Sequence, residues 1–403
     1  MEQHHQSFWG TVREIVRLSF PYFRSEEKWF ARGAVLTIIS LSLVSVAVGV
    51  RLATWQRDFF NAMQQLNQPV WVQQLWVFGC ITALQILIGM VLIYVTQRLE
   101  IRWRKWMTRH FLDRWLHHHA HYRMQIGAHS VDNPDQRMSM DIPLFIQRTL
   151  HMTIGDRSLG PMSTGLLTAC ATLFSFSVML WTLSSQMPLS IHGHNYHVPG
   201  FLLWTALFYA AGSTVIAHVF GRELIPLRFE QQRYEADFRF DMVRLREHSE
   251  QIALLQGEPV EKRRLMTGFG YVAHNWHALM MRQVKLTAVT GSIAGITMIL
   301  PSLLVAPAFF SKAVGYGELM QISTAFLSVQ GALSFFVANY PLVAEWKSVI
   351  ERLGGLDRAL IASHAESDRL RTSYKREGTG FEAEALQINL PCGLPLIETD
   401  VIR

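Results

Sequence analysis

The sequence predicts an all-α membrane protein with six transmembrane helices and long cytoplasmic helical extensions. Half of its 403 residues are hydrophobic and 17% are charged, a balance that favours membrane proteins over multi-domain soluble ones. The apolar residues are bunched into runs long enough to cross about 30 Å of hydrocarbon. Lys and Arg concentrate in alternate intervening segments, as topology determinants do.

Six runs meet the length requirement: 30–50, 75–97, 162–181, 200–220, 286–310 and 319–343. No apolar h-region precedes them, because residues 1–29 carry Arg13, Arg17, Arg24, Glu26, Glu27 and Lys28, so this stretch reads as a cytoplasmic N-terminal helix and not a signal peptide. The sixth run is the most polar. Gln321, Thr324, Ser328 and Gly331 fall on one helical face, which is unfavourable in lipid and turns toward other helices or a watery translocation cavity.

Segments 98–161 and 222–285 and the tail after 346 hold most of the cations, including Arg98, Arg102, Arg104, Lys105, Lys262, Arg263 and Arg264. The alternate loops hold Arg51, Arg57 and Lys312. This bias puts both termini and both long segments in the cytoplasm. The net charge of +6 is accounted for by these juxtamembrane cations, and nucleic acid is not an expected partner.

The first long segment reads as a continuation of the second span to about Met124, with Trp103, Met107, Phe111 and Trp115 forming an apolar stripe. In the second, Phe238, Met242, Leu245, Ser249 and Ile252 step by four and three residues, a narrow seam that calls for a neighbouring helix. The seam is expected to meet the first stripe. Opposite charges at i,i+4 (Arg233 with Asp237, Glu235 with Arg239, Arg246 with Glu250) lace the rest of this helix. Each segment is then an antiparallel helical stalk, turning near 132–137 (DNPDQR) and 256–264 (QGEPVEKRR). Beyond 343 a helix runs on through EWKSVIERLGGLDRAL, 363–380 is a polar linker, and Leu386, Ile388 and Leu390 alternate with Gln387 and Asn389 before a Pro391-Cys392-Gly393 turn, as in a hairpin.

Other clusters read blandly. Cys80, Cys170 and Cys392 are far apart and imply neither a disulfide framework nor a metal motif. His117, His118, His119 and His121 point in different directions around a helix and lack further ligands, so they are read as a solvated surface. His192, His194 and His197 are read as a polar loop. Trp103, Trp106 and Trp115 are core rather than a ligand platform. Gly291 and Gly295 permit close helix approach. Carboxylates (Glu223, Glu318, Glu345) lie at span edges and not at span centres, which weighs against a proton relay. No constellation recommends an enzyme.

Several motifs, in order and correctly spaced against the six spans, carry a resemblance: WQRDFFNAMQ (55–64), RWRKWMTRHFLDRWL (102–116), DNPDQR (132–137), FEQQRYEADFRF (229–240), EHSEQIALLQGE (247–258) and AEWKSVIERL (344–353). They resemble the membrane domain of the ABC transporter family that includes YddA, the SbmA/BacA peptide transporters and the peroxisomal fatty-acyl half-transporters. The resemblance implies an exporter-type (type IV) transmembrane domain over 30–362 that pairs as a homodimer. It also implies coupling turns that dock on an ABC ATPase domain: Asp132, Asn133, Pro134, Asp135, Gln136 and Arg137 in the first, and Glu250, Gly257 and Glu258 in the second. Residues 381–403 are similar to the start of a nucleotide-binding domain, here truncated. A P-loop of the form GxxxxGK[ST] does not occur in the 403 residues, so ATP and Mg²⁺ are expected on a missing or separate ATPase domain and no cofactor is expected on this chain. Three readings remain: an ATP-driven transporter subunit, a proton-driven SbmA/BacA-type importer, or a non-functional truncated half-transporter. Gln321, Thr324 and Ser328 are the cavity candidates, and the transported substrate is not legible.

Overall fold

The structure is a computed structural model that describes residues 8–126, 132–155, 164–185, 187, 189–191, 194–196, 198–369, 383–389 and 395–402. In chain order the helices are α1 (Phe8–Ser19), α2 (Lys28–Gln64), α3 (Gln68–Leu116), α4 (Ala120–Ile126), α5 (Pro134–Gln136), α6 (Ile142–Ile154) and α7 (Leu166–Ser185). Two short strands follow, β1 (Leu189–Ile191) and β2 (His194–Tyr196), then α8 (Phe201–Gly221), α9 (Leu224–Glu247), α10 (Ser249–Leu254), α11 (Glu258–Phe310), α12 (Tyr316–Ala338) and α13 (Tyr340–Arg369). Strands β3 (Ala383–Asn389) and β4 (Pro395–Ile402) come last. Each strand pair is an isolated antiparallel hairpin, Leu386 facing Thr399 and Ile388 facing Ile397 in the second. The expected turn Pro391-Cys392-Gly393 lies outside the described residues.

Among the described residues, six helical stretches are long and apolar enough to cross a membrane. Three expectations need correction. First, α3 does not run unbroken to Met124. It ends at Leu116, and His118 and His119 take left-handed φ values of 49° and 57° before α4 begins. Second, the polar linker begins later, since residues 363–369 are the end of α13; residues 370–380 lie outside the described residues. Third, the first long segment returns not as one long helix but through α5, a π-helical turn (Arg137–Asp141) and the short α6.

The chain divides into two compact units. One comprises residues 1–49, 79–171 and 338–403. Its core gathers Leu99, Trp103, Met107 and Phe111 of α3 with Tyr22, with Phe145 and Ile146 of α6, and with Val349, Leu353 and Leu356 of α13. The aromatic stripe is therefore core, Trp103 stacking on Tyr22 at 5.5 Å. Its partners are α6 and α13, not the segment after residue 222. Burial raises the Tyr22 phenol above its ordinary value.

The other unit comprises residues 50–78 and 172–337. Its core joins Phe176 and Leu180 of α7, Leu202 and Ala206 of α8, Val305 of α11 and Ile322 and Phe326 of α12. Between α8 and α11, the Tyr209 hydroxyl donates to the carbonyl of Ile293 at 2.7 Å and accepts from Thr297 at 2.9 Å, so the polar atoms of this apolar contact satisfy one another. The seam of α9 packs on α11: Phe238 meets Phe269 at 5.6 Å, and Asn275 donates to Leu227 O at 3.0 Å and to Gln231 Oε1 at 2.9 Å. Arg233 pairs with Glu230, one turn N-terminal, in place of the expected Asp237. At 1.5 Å per residue, the 53 residues of α11 extend about 80 Å, more than twice the hydrocarbon thickness.

Candidate coupling turns and polar span face

The first turn is built by Asn133, whose left-handed backbone (φ 48°, ψ 62°) starts α5, with Pro134 supplying a first helical residue that needs no N–H partner. What fixes the turn is reach to α13. Arg137 donates from Nε to the Asp132 carbonyl at 3.0 Å and from Nη1 to the Arg352 carbonyl at 2.7 Å. Arg352 in turn grips Asp141 with both arms of its fork, at 2.9 and 2.7 Å. Asp141 is 7% exposed and ends the π-helical turn. Residues 132–141 and 352 thus close a ring of hydrogen bonds. Hydrogen bonding to Asp141 raises Arg352 above the ordinary guanidinium value, whereas burial is the main cause lowering Arg137.

Five further ties hold α13 in the same unit. Arg148 pairs with Glu345 at 3.0 Å and Trp346 donates to Thr149 Oγ1 at 2.9 Å. Near the other end, Asp357 takes Arg17 at 2.8 Å as well as Arg114, and His364 Nε2 lies 2.8 Å from the Arg114 carbonyl. Asp132, Asp135 and Gln136 remain exposed at the rim.

The second turn follows a break at His248 (φ −104°, ψ 21°) that separates α9 from α10. Gln256 adopts φ 50°, the Gly257 N–H closes on the Ile252 carbonyl at 2.9 Å, and Glu258 opens α11 with Pro259 behind it. Glu258 and Glu261 sit in that first turn, where the helix dipole favours acids. Glu258 lines a cleft of about 510 Å³ with the seam residues Phe238, Leu245, Ser249 and Ile252. Glu250 is exposed on α10 and Met242 is exposed on α9. Leu254 and Leu255 stand out at the tip, 77% and 82% exposed.

On α12, Gln321 is 3% exposed, its Nε2 reaching Met179 Sδ at 3.8 Å while Oε1 has no partner. Thr324 donates to Gln56 Oε1 at 2.6 Å and Ser328 to the Thr324 carbonyl at 2.8 Å. Sequence reasoning missed the residues facing this helix. From the end of α2, Asn61 Oδ1 accepts from the Gly317 N–H at 2.9 Å, Asn61 Nδ2 donates to Glu318 at 3.1 Å, and Gln64 accepts from the Tyr316 N–H at 2.7 Å. The available signal was their clustering inside WQRDFFNAMQ. The edge carboxylates are engaged: Glu223 by Arg282, Glu318 by Asn61 and Glu345 by Arg148. An added Cβ at Gly291 or Gly295 meets nothing within 4 Å, so these glycines make no close helix approach among the described residues. No group of three or more His, Cys, Asp or Glu among the described residues is placed to hold a metal; His192 and His197 lie outside those residues.

Comparison with known proteins decides what such turns on such spans belong to. Residues 15–310 match the family model for ABC transporter transmembrane region 2. The chain belongs to this family. It is similar to the inner membrane ABC transporter ATP-binding protein YddA of Escherichia coli, 33% identical over 79% of this chain and 55% of that protein. The chloroplastic ABC transporter D family member 2 of Arabidopsis thaliana is 30% identical over 86% and 46% respectively. The human lysosomal cobalamin transporter ABCD4 is 25% identical over 60% and 35%. The chain spans about half the length of the first two relatives it matches. It is a multi-pass membrane protein of the ABC transporter class.

Proposed function

We propose that this chain is the membrane-spanning subunit of a transporter that moves a small molecule or peptide across the inner membrane by alternating access, driven by an ATPase domain not contained in these 403 residues. The observation that carries the reading is α11. One helix joins an apolar span to the Gln256–Glu258 turn about 80 Å from its other end, a rigid lever through which force applied at a turn shifts a span. The 132–137 turn, tied through Arg137 and Arg352 to α13, is the second place where such a domain docks. ATP and Mg²⁺ act on that domain, since this chain has no P-loop run. The β3–β4 hairpin supplies its opening strands, and both termini face the cytoplasm.

The working unit is a homodimer. Trp276, Met280 and Val284 form an apolar strip on α11, 56%, 43% and 58% exposed, beside Arg282 and Lys285, and an exposed apolar patch of this kind marks an interaction surface. Gln321, Thr324 and Ser328 face the translocation path. The pairing of Glu223 with Arg282 and of Glu345 with Arg148 favours ATP over protons as the driver.

The test is reconstitution in lipid nanodiscs with an ABC ATPase domain, supplied in trans or as a continuation of the polypeptide. Spin-label distances across the spans are expected to change on adding ATP, and Glu250→Ala with Glu258→Ala is expected to suppress that change while leaving the apo distances intact. Invariant distances, with hydrolysis equal in the presence and absence of the chain, would overturn the proposal.

A further inference from the structure

At the end of the spans where the charged segments begin, two guanidinium groups share one aromatic ring. The Arg102 guanidinium lies 4.0 Å and that of Arg98 5.8 Å from the centroid of Phe30. Arg98 also lies 5.8 Å from the ring of Tyr94 and donates to its hydroxyl at 2.8 Å. Neither arginine belongs to an ion pair among the described residues. Stacking restrains each guanidinium against a π face, and of the five N–H donors on each only Arg98 Nη1 has a protein acceptor among the described residues. A planar, pre-oriented donor fork of this kind suits phosphate oxygens.

The position of the pair specifies the source of the phosphate. Phe30 begins the first apolar run and Arg98 immediately follows the second. Leu87, Val91 and Tyr94 are exposed on α3 at steps of four and three residues, and the next step of four arrives at Arg98. An apolar, outward-facing track therefore leads along the span to the cations. Trp29, beside Phe30, is 77% exposed, as the aromatic residues of membrane interfaces are. A free phosphate would use the forks and leave the track bare, whereas a phospholipid uses both.

We propose that Arg98 and Arg102, held on Phe30 and Tyr94, form a binding site for the phosphate of an anionic phospholipid whose acyl chain lies along Leu87 and Val91. Such a site fixes the start of α2 and the exit of α3 against the bilayer surface.

The purified full chain in detergent is exposed to an equimolar mixture of phosphatidylglycerol and phosphatidylcholine, and bound lipid is counted by native mass spectrometry. Wild type is expected to retain phosphatidylglycerol preferentially. Arg98→Gln with Arg102→Gln is expected to reduce that preference by about five-fold per charge. Phe30→Leu keeps both charges and removes the platform, and is expected to give a partial loss; it decides the question if the double variant does not fold. Arg104→Gln with Lys105→Gln, two and three residues past Arg102, is expected to change nothing. An unaltered preference in the Arg98/Arg102 variant overturns the site, and so does an equal loss in the Arg104/Lys105 variant, which would show only diffuse charge attraction. Displacement of the lipid by millimolar inorganic phosphate would overturn the role of the apolar track.

Discussion

Asp141 is buried with two guanidinium donors from Arg352 as partners. Removing the donors leaves its carboxylate desolvated, so Arg352→Gln is expected to lower stability by about 1–3 kcal/mol, given the cost of stranding a charged acceptor discounted for the 42% exposure of the Arg352 side chain. Arg233→Gln, which loses an exposed pair with Glu230, is expected to cost under about 1 kcal/mol; thermal unfolding in detergent compares the two. His110 gives a pH signature. Burial and the nearby Arg114 lower its imidazole below the ordinary value, so the unfolded chain binds the proton more readily than the folded one. Its contribution is fully present above about pH 6.5 and is lost as the pH falls from there through the depressed folded value. His110→Gln should flatten that part of the unfolding-midpoint curve between pH 7.5 and pH 5.5, chosen to bracket about 6.5. Residue partners of this kind were not legible in the sequence: nothing in MSMDIP or ERL indicates that Asp141 and Arg352 meet across 211 positions, because side-chain reach depends on packing that local pattern does not encode.

Elements were more legible where one physical cause dominates. Bilayer thickness demands apolar runs, and six helices carry them. The Trp103–Phe111 stripe correctly marked a buried face, yet periodicity states only that a face is buried and not what covers it, so its partner was misassigned. The end of α3 was missed for a different reason. Histidine is a mediocre helix former but no breaker, and the left-handed pair His118–His119 is exposed, beside His117, whose ring lies 5.9 Å from that of His364 on α13. Left-handed backbone costs a non-glycine residue roughly 1 kcal/mol or more. His118→Gly is therefore expected to raise stability by up to about 1 kcal/mol, and His118→Val to lower it, as read from chemical denaturation midpoints. Gly317 provides the opposite case. A Cβ there would collide with the Arg57 backbone carbonyl and with Asn61, so Gly317→Ala should force α12 away from α2 and destabilise the chain by about 1–3 kcal/mol.

At the scale of the whole molecule, each of the two units has its own apolar core, and the α9–α11 pair adds exposed apolar surface that neither core absorbs. The strip Trp276, Met280 and Val284, with Gln283 and Thr287, lines a cleft of about 630 Å³. It precedes the apolar run that starts at Leu286, so lipid tails do not account for most of it and burial against protein does. If a second copy covers it, Trp276 has the character of an interface anchor, a large aromatic whose loss costs at least about 2 kcal/mol, roughly 30-fold in the dimer dissociation constant. Trp276→Glu adds the desolvation of a charge to that loss. Light scattering coupled to gel filtration in detergent should then report two copies for wild type and one for Trp276→Glu at equal concentration. Arg263→Gln, an exposed change in the same helix outside the strip, should leave the dimer intact. Two copies in both variants would remove this strip from the interface and return the pairing surface to other faces of the chain.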